Sequence, residues 1–283
     1  MTKAQSEQQH QLEYLQPCLA AGSSPPPGWQ PISSLRLIII VGVTGTGKTT
    51  ATKNLTKNGF DFQLLPDRRF LTDKLIIAPL QREDCQEVKT LPRMQRVPYI
   101  RRYKQRHPAG LAYAVSKLFV DPTTCKDFWV FNGLRGEEEV KYAIEAIPKA
   151  QFIVLDAIDI VRAQRLIRRH DPYDQMQEKE HKANIEKVDS FEAIGVPEAA
   201  EMFSTEEEQQ LLKMAKNGHV KVTEVRDILK LLSVERSLYK KEATISTLLS
   251  LAPDRTLLID TTSQKPETVT KKIIDRFQRL DMV

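Results

Sequence analysis

The segment Gly42-Val43-Thr44-Gly45-Thr46-Gly47-Lys48-Thr49 sets three glycines, a lysine and a threonine at the spacing G-x-x-x-x-G-K-[ST]. Glycine lets consecutive backbone N–H groups turn toward one point. A helix that begins near the lysine adds the positive end of its dipole, and the two together cradle phosphate oxygens. On this reading Lys48 reaches the β- and γ-phosphates of a nucleoside triphosphate and the Thr49 hydroxyl ligates magnesium. Gly42, Thr44, Gly45, Thr46, Gly47 and Thr50 complete the cradle. ATP with Mg2+ is the expected ligand, and a glycine-rich turn matching by accident is the plain alternative.

Other groups fit the same chemistry. Asp67 follows an apolar segment, at the edge where ligands of open α/β sheets collect, and is a candidate base for an acceptor hydroxyl. Arg68 or Arg69 beside it suits an anionic acceptor; an ordinary turn aspartate with two exposed arginines competes with that reading. Arg162, Arg165 and Arg169 recur at spacings of three and four, so they share a helical face suited to a lid over phosphates, or to a solvated basic helix paired with Asp159. Arg93 to His107 is a second basic segment, with Tyr99 and Tyr103 interleaved as possible stacking surfaces for a base.

The elements that must position these groups alternate. Residues 1 to about 33 mix Gln, Ser and Pro without apolar periodicity and read as a disordered tail. Leu37 to Val41 is a continuous, mostly β-branched run, the pattern of a strand buried on both faces. Thr49 to Asn58 reads as a helix ending at Asn58-Gly59, and Phe60 to Leu65 as a second strand stopped by Pro66. Further strands are expected at Phe128 to Phe131, Phe152 to Ala157 and Thr256 to Ile259. The predicted class is α/β, a five-stranded parallel sheet with helices on both faces.

Residues 171–253, between the last two strands, are helix-patterned and read as a lid or insertion. Ser204-Thr205-Glu206-Glu207 has capping-box spacing, and Val225, Ile228, Leu229 and Leu232 form one apolar face. The final helix starts at Pro266 with Val269, Ile273, Phe277 and Leu280 as its buried stripe.

Composition narrows the class. With 41% hydrophobic and 28% charged residues the 283-residue chain can bury a full core. A net charge of +5 permits an anionic partner without demanding nucleic acid. Cys18, Cys85 and Cys125 are scattered, which argues against a disulfide framework or zinc site and for a reducing compartment. The apolar run Leu37 to Val43 is too short to span a membrane, and a cytoplasmic location is expected.

With Asn132-Gly133-Leu134-Arg135 after the third strand and Arg162 to Arg169 after the fourth, the chain resembles small P-loop kinases of the nucleoside monophosphate and dephospho-coenzyme A kinase group. Leu258-Ile259-Asp260-Thr261-Thr262 before the last helix is similar to the end of those enzymes. The resemblance implies a P-loop NTPase fold over residues 34–283 and transfer of the ATP γ-phosphate to a small, anionic, nucleotide-like acceptor. Lys48, Asp67, Arg165 and Arg169 would then be the catalytic side chains. Asn132 departs from the pattern, because those kinases usually carry a magnesium-positioning aspartate there; Asp67 or Asp156 would have to supply that charge, and Asp156 reads equally as a helix cap.

The competing class is an ATP-dependent regulatory or nucleic-acid-binding NTPase, with Lys221 to Tyr239 read as two short helices joined near Ser233. The acids Glu224, Asp227 and Glu235 dilute the charge of that segment and disfavour it.

Overall fold

The computed structural model describes residues 12–126, 128–169, 188–218 and 220–279. Among the described residues nine strands come in the order β1 (Glu13–Gln16), β2 (Leu19–Ala21), β3 (Gln30–Pro31), β4 (Arg36–Val41), β5 (Gln63–Leu64), β6 (Leu118–Val120), β7 (Phe128–Phe131), β8 (Gln151–Asp156) and β9 (Thr256–Asp260). Five of them form a parallel sheet in the order β5-β7-β4-β8-β9. The strand carrying the glycine-rich loop therefore lies at the centre of the sheet.

The apolar run of β4 serves two cores because alternate side chains point to opposite faces. Leu37, Ile39 and Val41 join one core with Trp129, Phe131 and Phe152. Ile38 and Ile40 join the other with Val130, Ile153 and Leu155. Helix α1 (Lys48–Lys57) covers the second face with Ala51 and Leu55. The short α2 (Arg68–Thr72) continues through a π-helical turn at Asp73–Ile77 into α3 (Ala78–Glu83). Next come α4 (Arg93–Arg106), α5 (Leu111–Ser116) and α6 (Glu137–Ala146), the last packing Val140, Ala143 and Ile144 onto the first core.

Between β8 and β9 lie α7 (Asp159–Arg169), α8 (Thr205–Lys216), α9 (Val222–Leu238) and α10 (Lys241–Leu251), and the chain ends its described part with α11 (Pro266–Gln278). The fold is P-loop NTPase-like, with a helical insertion between the last two strands. Ser204 caps α8 in the expected capping box with Glu207. Val225, Ile228, Leu229 and Leu232 of α9 pack with Ala163, Leu166 and Ile167 of α7 and Leu211 of α8 in a third, separate core. Val269, Ile273 and Phe277 are buried as the stripe predicts. His170, residues 171–187 of the expected insertion, and Leu280 lie outside the described residues.

Three expectations need correction. The tail expected to be disordered over residues 1–33 is built into a second sheet from Glu13 onward, in the order β1-β2-β6-β3; residues 1–11 lie outside the described part. These strands are two to four residues long, and although β1 pairs locally with β2, both β2 and β3 pair antiparallel with β6 about ninety to a hundred positions away, so no local period marks the sheet. Leu15, Leu19 and Ile32 anchor them in the first core.

Cys18 and Cys125 are disulfide-bonded across 107 positions with Cα atoms 5.8 Å apart, which removes the argument for a reducing compartment. Lys221 to Tyr239 is not two helices: α9 runs unbroken through Ser233, whose hydroxyl donates to the Leu229 carbonyl. No helix among the described residues is long and apolar enough to cross a membrane.

Candidate active site

The glycine-rich loop leaves β4 and enters α1 where the sequence predicts. Gly42 adopts φ 152°, and a Cβ there would stand 2.5 Å from the Leu155 carbonyl oxygen, so only glycine lets the loop lie against β8. Gly47 caps α1 at φ 96°, with nothing within 4 Å of where its Cβ would be. The first amide to bond back inside α1 is Ala51 N–H, to the Gly47 carbonyl at 2.9 Å. The N–H groups of the first turn before it are those a helix leaves for an external acceptor. Thr261, just past β9, braces the loop from outside by donating its hydroxyl to the Thr46 carbonyl at 3.1 Å.

Lys48 folds back over the loop, donating to the Gly42 and Val43 carbonyls at 2.6 and 2.7 Å. Burial, with Arg135 close by, drives its pKa well below the usual lysine range, and Glu235 only partly opposes this. An anion entering the loop would restore the ammonium's stability.

The loop opens on a cavity of about 980 Å³ lined by Thr44 to Ala51, by α2, α4, α7 and α9, and by the start of α11. Nine cationic side chains line it against two carboxylates, Asp67 and Glu235. Such an excess selects anionic ligands.

Glu235 is the residue that sequence reasoning missed. It reaches from α9 into the loop and is 2% exposed. Its carboxylate accepts from the Thr44 N–H at 2.9 and 3.1 Å and from the Thr44 hydroxyl at 2.7 Å. Arg135 and Arg162 each pair with it at 2.7 Å. Burial raises its pKa, and the two arginines with the Thr44 hydroxyl overcome that and hold it at about 2. Arg135 Nε is buried with no hydrogen-bond partner.

Glu139 of α6 makes a second buried ion pair. It holds Arg68 through two bonds of 2.7 and 2.9 Å, and Arg68 also donates to the Gly133 carbonyl and to the Tyr239 hydroxyl. Burial raises the Glu139 pKa, but Arg68 more than offsets this and the net shift is downward.

The expected residues divide. Gly45, Thr46, Gly47, Lys48, Thr49, Thr50, Asp67, Arg165 and Arg169 all line the cavity. Asp67 also caps α2, accepting from Phe70 N–H at 3.0 Å through one carboxylate oxygen. Arg165 donates to the Gly45 carbonyl and to both oxygens of Thr261, which ties α7 to the loop. Arg162 leaves the shared basic face: it is buried, donates to the Thr44 carbonyl at 2.8 Å and pairs with Asp159 as well as Glu235.

Asp156 does not reach the cavity. It pairs with Lys241 at 3.2 Å behind the loop, so the expectation that it supplies metal charge is withdrawn. Arg68 is occupied by Glu139 and is not placed to hold an acceptor. Asn132 lines the cavity and lies 3.4 Å from the Thr52 hydroxyl.

The basic segment of α4 is largely paired. Arg102 binds Glu83 at the end of α3 and Asp84 just past it, Arg106 binds Glu83, and Arg96 binds Asp73. Tyr103, His107 and Tyr113 stack on one another, with His107 4.2 Å from Tyr113 and nearly parallel. These pairings leave a poor surface for single-stranded nucleic acid.

Among the described residues no cluster of three His, Cys, Asp or Glu side chains is placed to hold a metal by itself. Thr49 and Asp67 nevertheless present hard oxygens to the cavity, which fits magnesium bound chiefly through waters and phosphate.

No protein-family model matches the chain, and no curated protein matches it. Among solved structures it is similar to a gluconokinase from Sinorhizobium meliloti 1021, at 13% identity over 89% of this chain and 95% of that one, with a TM-score of 0.34. So loose a superposition adds nothing to the geometry above.

Proposed function

We propose that this chain binds ATP with magnesium at Gly42–Thr50 and is a phosphotransferase for a small anionic acceptor. The observation that carries the reading is one cavity that Thr44–Thr50 of the glycine-rich loop, Arg165, Arg168 and Arg169 of α7 and Asp67 line together, with cationic side chains in excess. Mg-ATP, when bound, supplies the transferable phosphoryl group. The freed amides of the first turn of α1 and the Lys48 ammonium hold its phosphates. Arg165 and Arg169, which line the cavity, would offset charge on the transferring oxygens, the main task in such chemistry. The second oxygen of Asp67 accepts the proton of an acceptor hydroxyl. With a neutral amide at Asn132, the Thr49 hydroxyl carries the metal-holding role, and waters and phosphate complete it.

The test follows Mg-ATP consumption by the purified protein against a panel of nucleotides, phosphorylated metabolites and other small anions. Acceptor-stimulated phosphate transfer, absent in Lys48→Ala, is the expected result. Nucleotide binding without any acceptor effect would instead mark the loop as a sensor. Unchanged nucleotide affinity in Lys48→Ala would remove the assignment of the loop altogether.

A further inference from the structure

Part of the cavity wall is aliphatic. Val97 and Ile100 lie three apart on α4, and Leu231, Val234 and Leu238 lie three and four apart on α9, so each helix gives the cavity one apolar stripe. Val97, Ile100 and Val234 are half-buried, and Leu238 is 41% exposed. Branched apolar surface left open inside a cleft is unfavourable in water and favourable against an apolar ligand.

Three polar groups that line the cavity near these stripes in sequence are engaged within the protein. Tyr239 accepts from Arg68 at 3.1 Å, the Thr72 hydroxyl donates to the Arg68 carbonyl at 2.7 Å, and Arg96 is paired with Asp73 at 2.6 Å. Aromatic surface is also spoken for. The Tyr239 ring has Arg68 and Lys104 each 5.6 Å from its centroid, and Tyr99 and Tyr103 do not line the cavity. A nucleobase needs edge hydrogen bonds and a ring to stack on, and leaving its polar edge unpaired in a dry pocket is costly.

From this we infer that the acceptor has an anionic head and an aliphatic body, and is not a nucleotide. The inference rests on the acceptor site proposed above and narrows what fills it: Arg69 and Arg169 line the same cavity and suit the head, while the α4 and α9 stripes enclose the body. The kinase resemblance implies a nucleotide-like acceptor, and this inference names a different chemistry for the same site.

The experiment uses the full chain. Mg-ADP binding is measured first by calorimetry, with Lys48→Ala as blank. The Mg-ADP complex is then titrated with linear alkyl phosphates and alkyl carboxylates of increasing length, with nucleoside monophosphates, and with inorganic phosphate. Affinity is expected to rise about fourfold per added methylene until the wall is covered. A slope in either series supports the inference and identifies the head, and nucleoside monophosphates should bind no better than inorganic phosphate. Leu238→Ser, at an exposed position, and Val234→Thr should flatten the slope without changing Mg-ADP affinity. Flat alkyl series, or tighter binding of a nucleoside monophosphate, on a protein that binds Mg-ADP normally would overturn this inference alone. Absent Mg-ADP binding would sink the functional reading and this inference with it.

Discussion

Two buried glutamates hold arginines that line the cavity, and their surroundings look alike: each is almost wholly excluded from water and each is held by arginine. They join different things. Glu139 ties α6 to α2 and, through the Arg135 N–H, to the loop after β7, all within the layer around the parallel sheet. Glu235 ties the helical insertion to the phosphate loop, because α9 otherwise packs in its own core with α7 and α8. The first is a brace inside one layer, and the second is a link between two parts whose apolar cores are separate. Similar burial and charge therefore do not imply a similar role; the partner's location decides it.

The largest expected effect tests the brace. Glu139→Ala leaves the Arg68 guanidinium buried without its carboxylate and should cost about 3–5 kcal/mol of stability. Urea unfolding measures the loss, and Mg-ADP affinity of the folded fraction should stay near that of the parent chain. A large change in that affinity would collapse the distinction between the two glutamates.

Acid unfolding tests the link. Because the folded Glu235 pKa lies near 2, below its ordinary value, its contribution is present above about pH 4.5 and is lost as pH falls toward 2. The size is about 3 kcal/mol. Glu235→Gln should lose that increment at neutral pH and show a correspondingly shallower decline through the acid window. Removing a negative charge beside the loop should also tighten Mg-ADP binding. An acid profile identical to the parent's would mean that Glu235 is not the ionised link described here.

A smaller effect concerns Lys48. Its ammonium is destabilised in the free loop, so phosphate binding should draw in a fraction of a proton at alkaline pH, and Mg-ADP affinity should fall as pH rises. Calorimetry in two buffers of different ionisation enthalpy reads the uptake directly, and no buffer dependence would contradict it. The Glu235→Gln variant sharpens the point, since Glu235 supports the Lys48 charge and its loss should enlarge the uptake.

The legible parts of the molecule are those whose signal is local. The runs Leu37 to Val41 and Phe128 to Phe131, the capping box at Ser204 and the loop at Gly42 to Thr49 all state their structure within a few residues. Phe60 to Leu65 was only partly legible: the strand shortens to Gln63–Leu64, with Phe60 and Phe62 turned into the core beside α11. The N-terminal sheet is illegible because strands of two to four residues carry too short a pattern, and the hairpin of β1 and β2 is joined to β3 only through β6, far along the chain.

Glu235 was hidden for a related reason, since its partners Thr44, Arg135 and Arg162 lie 191, 100 and 73 positions away. One local sign was present. Ile228, Leu232 and Glu235 are spaced four and three apart, so the acid sits in the apolar stripe of α9, where a carboxylate is placed only against a positive partner. Glu139 gave no such sign, because it follows Glu137 and Glu138 in a first turn where acids are ordinary helix-dipole partners.

The bracing of the phosphate loop bears on how the chain is made. The motif emerges early during synthesis, yet β4 is supported only once β7 and β8 exist on either side of it. The loop itself is completed by Glu235 and then by Thr261. A nascent chain of 230 residues would thus carry every residue of the motif and none of its last two supports. The loop that is written first is therefore finished last.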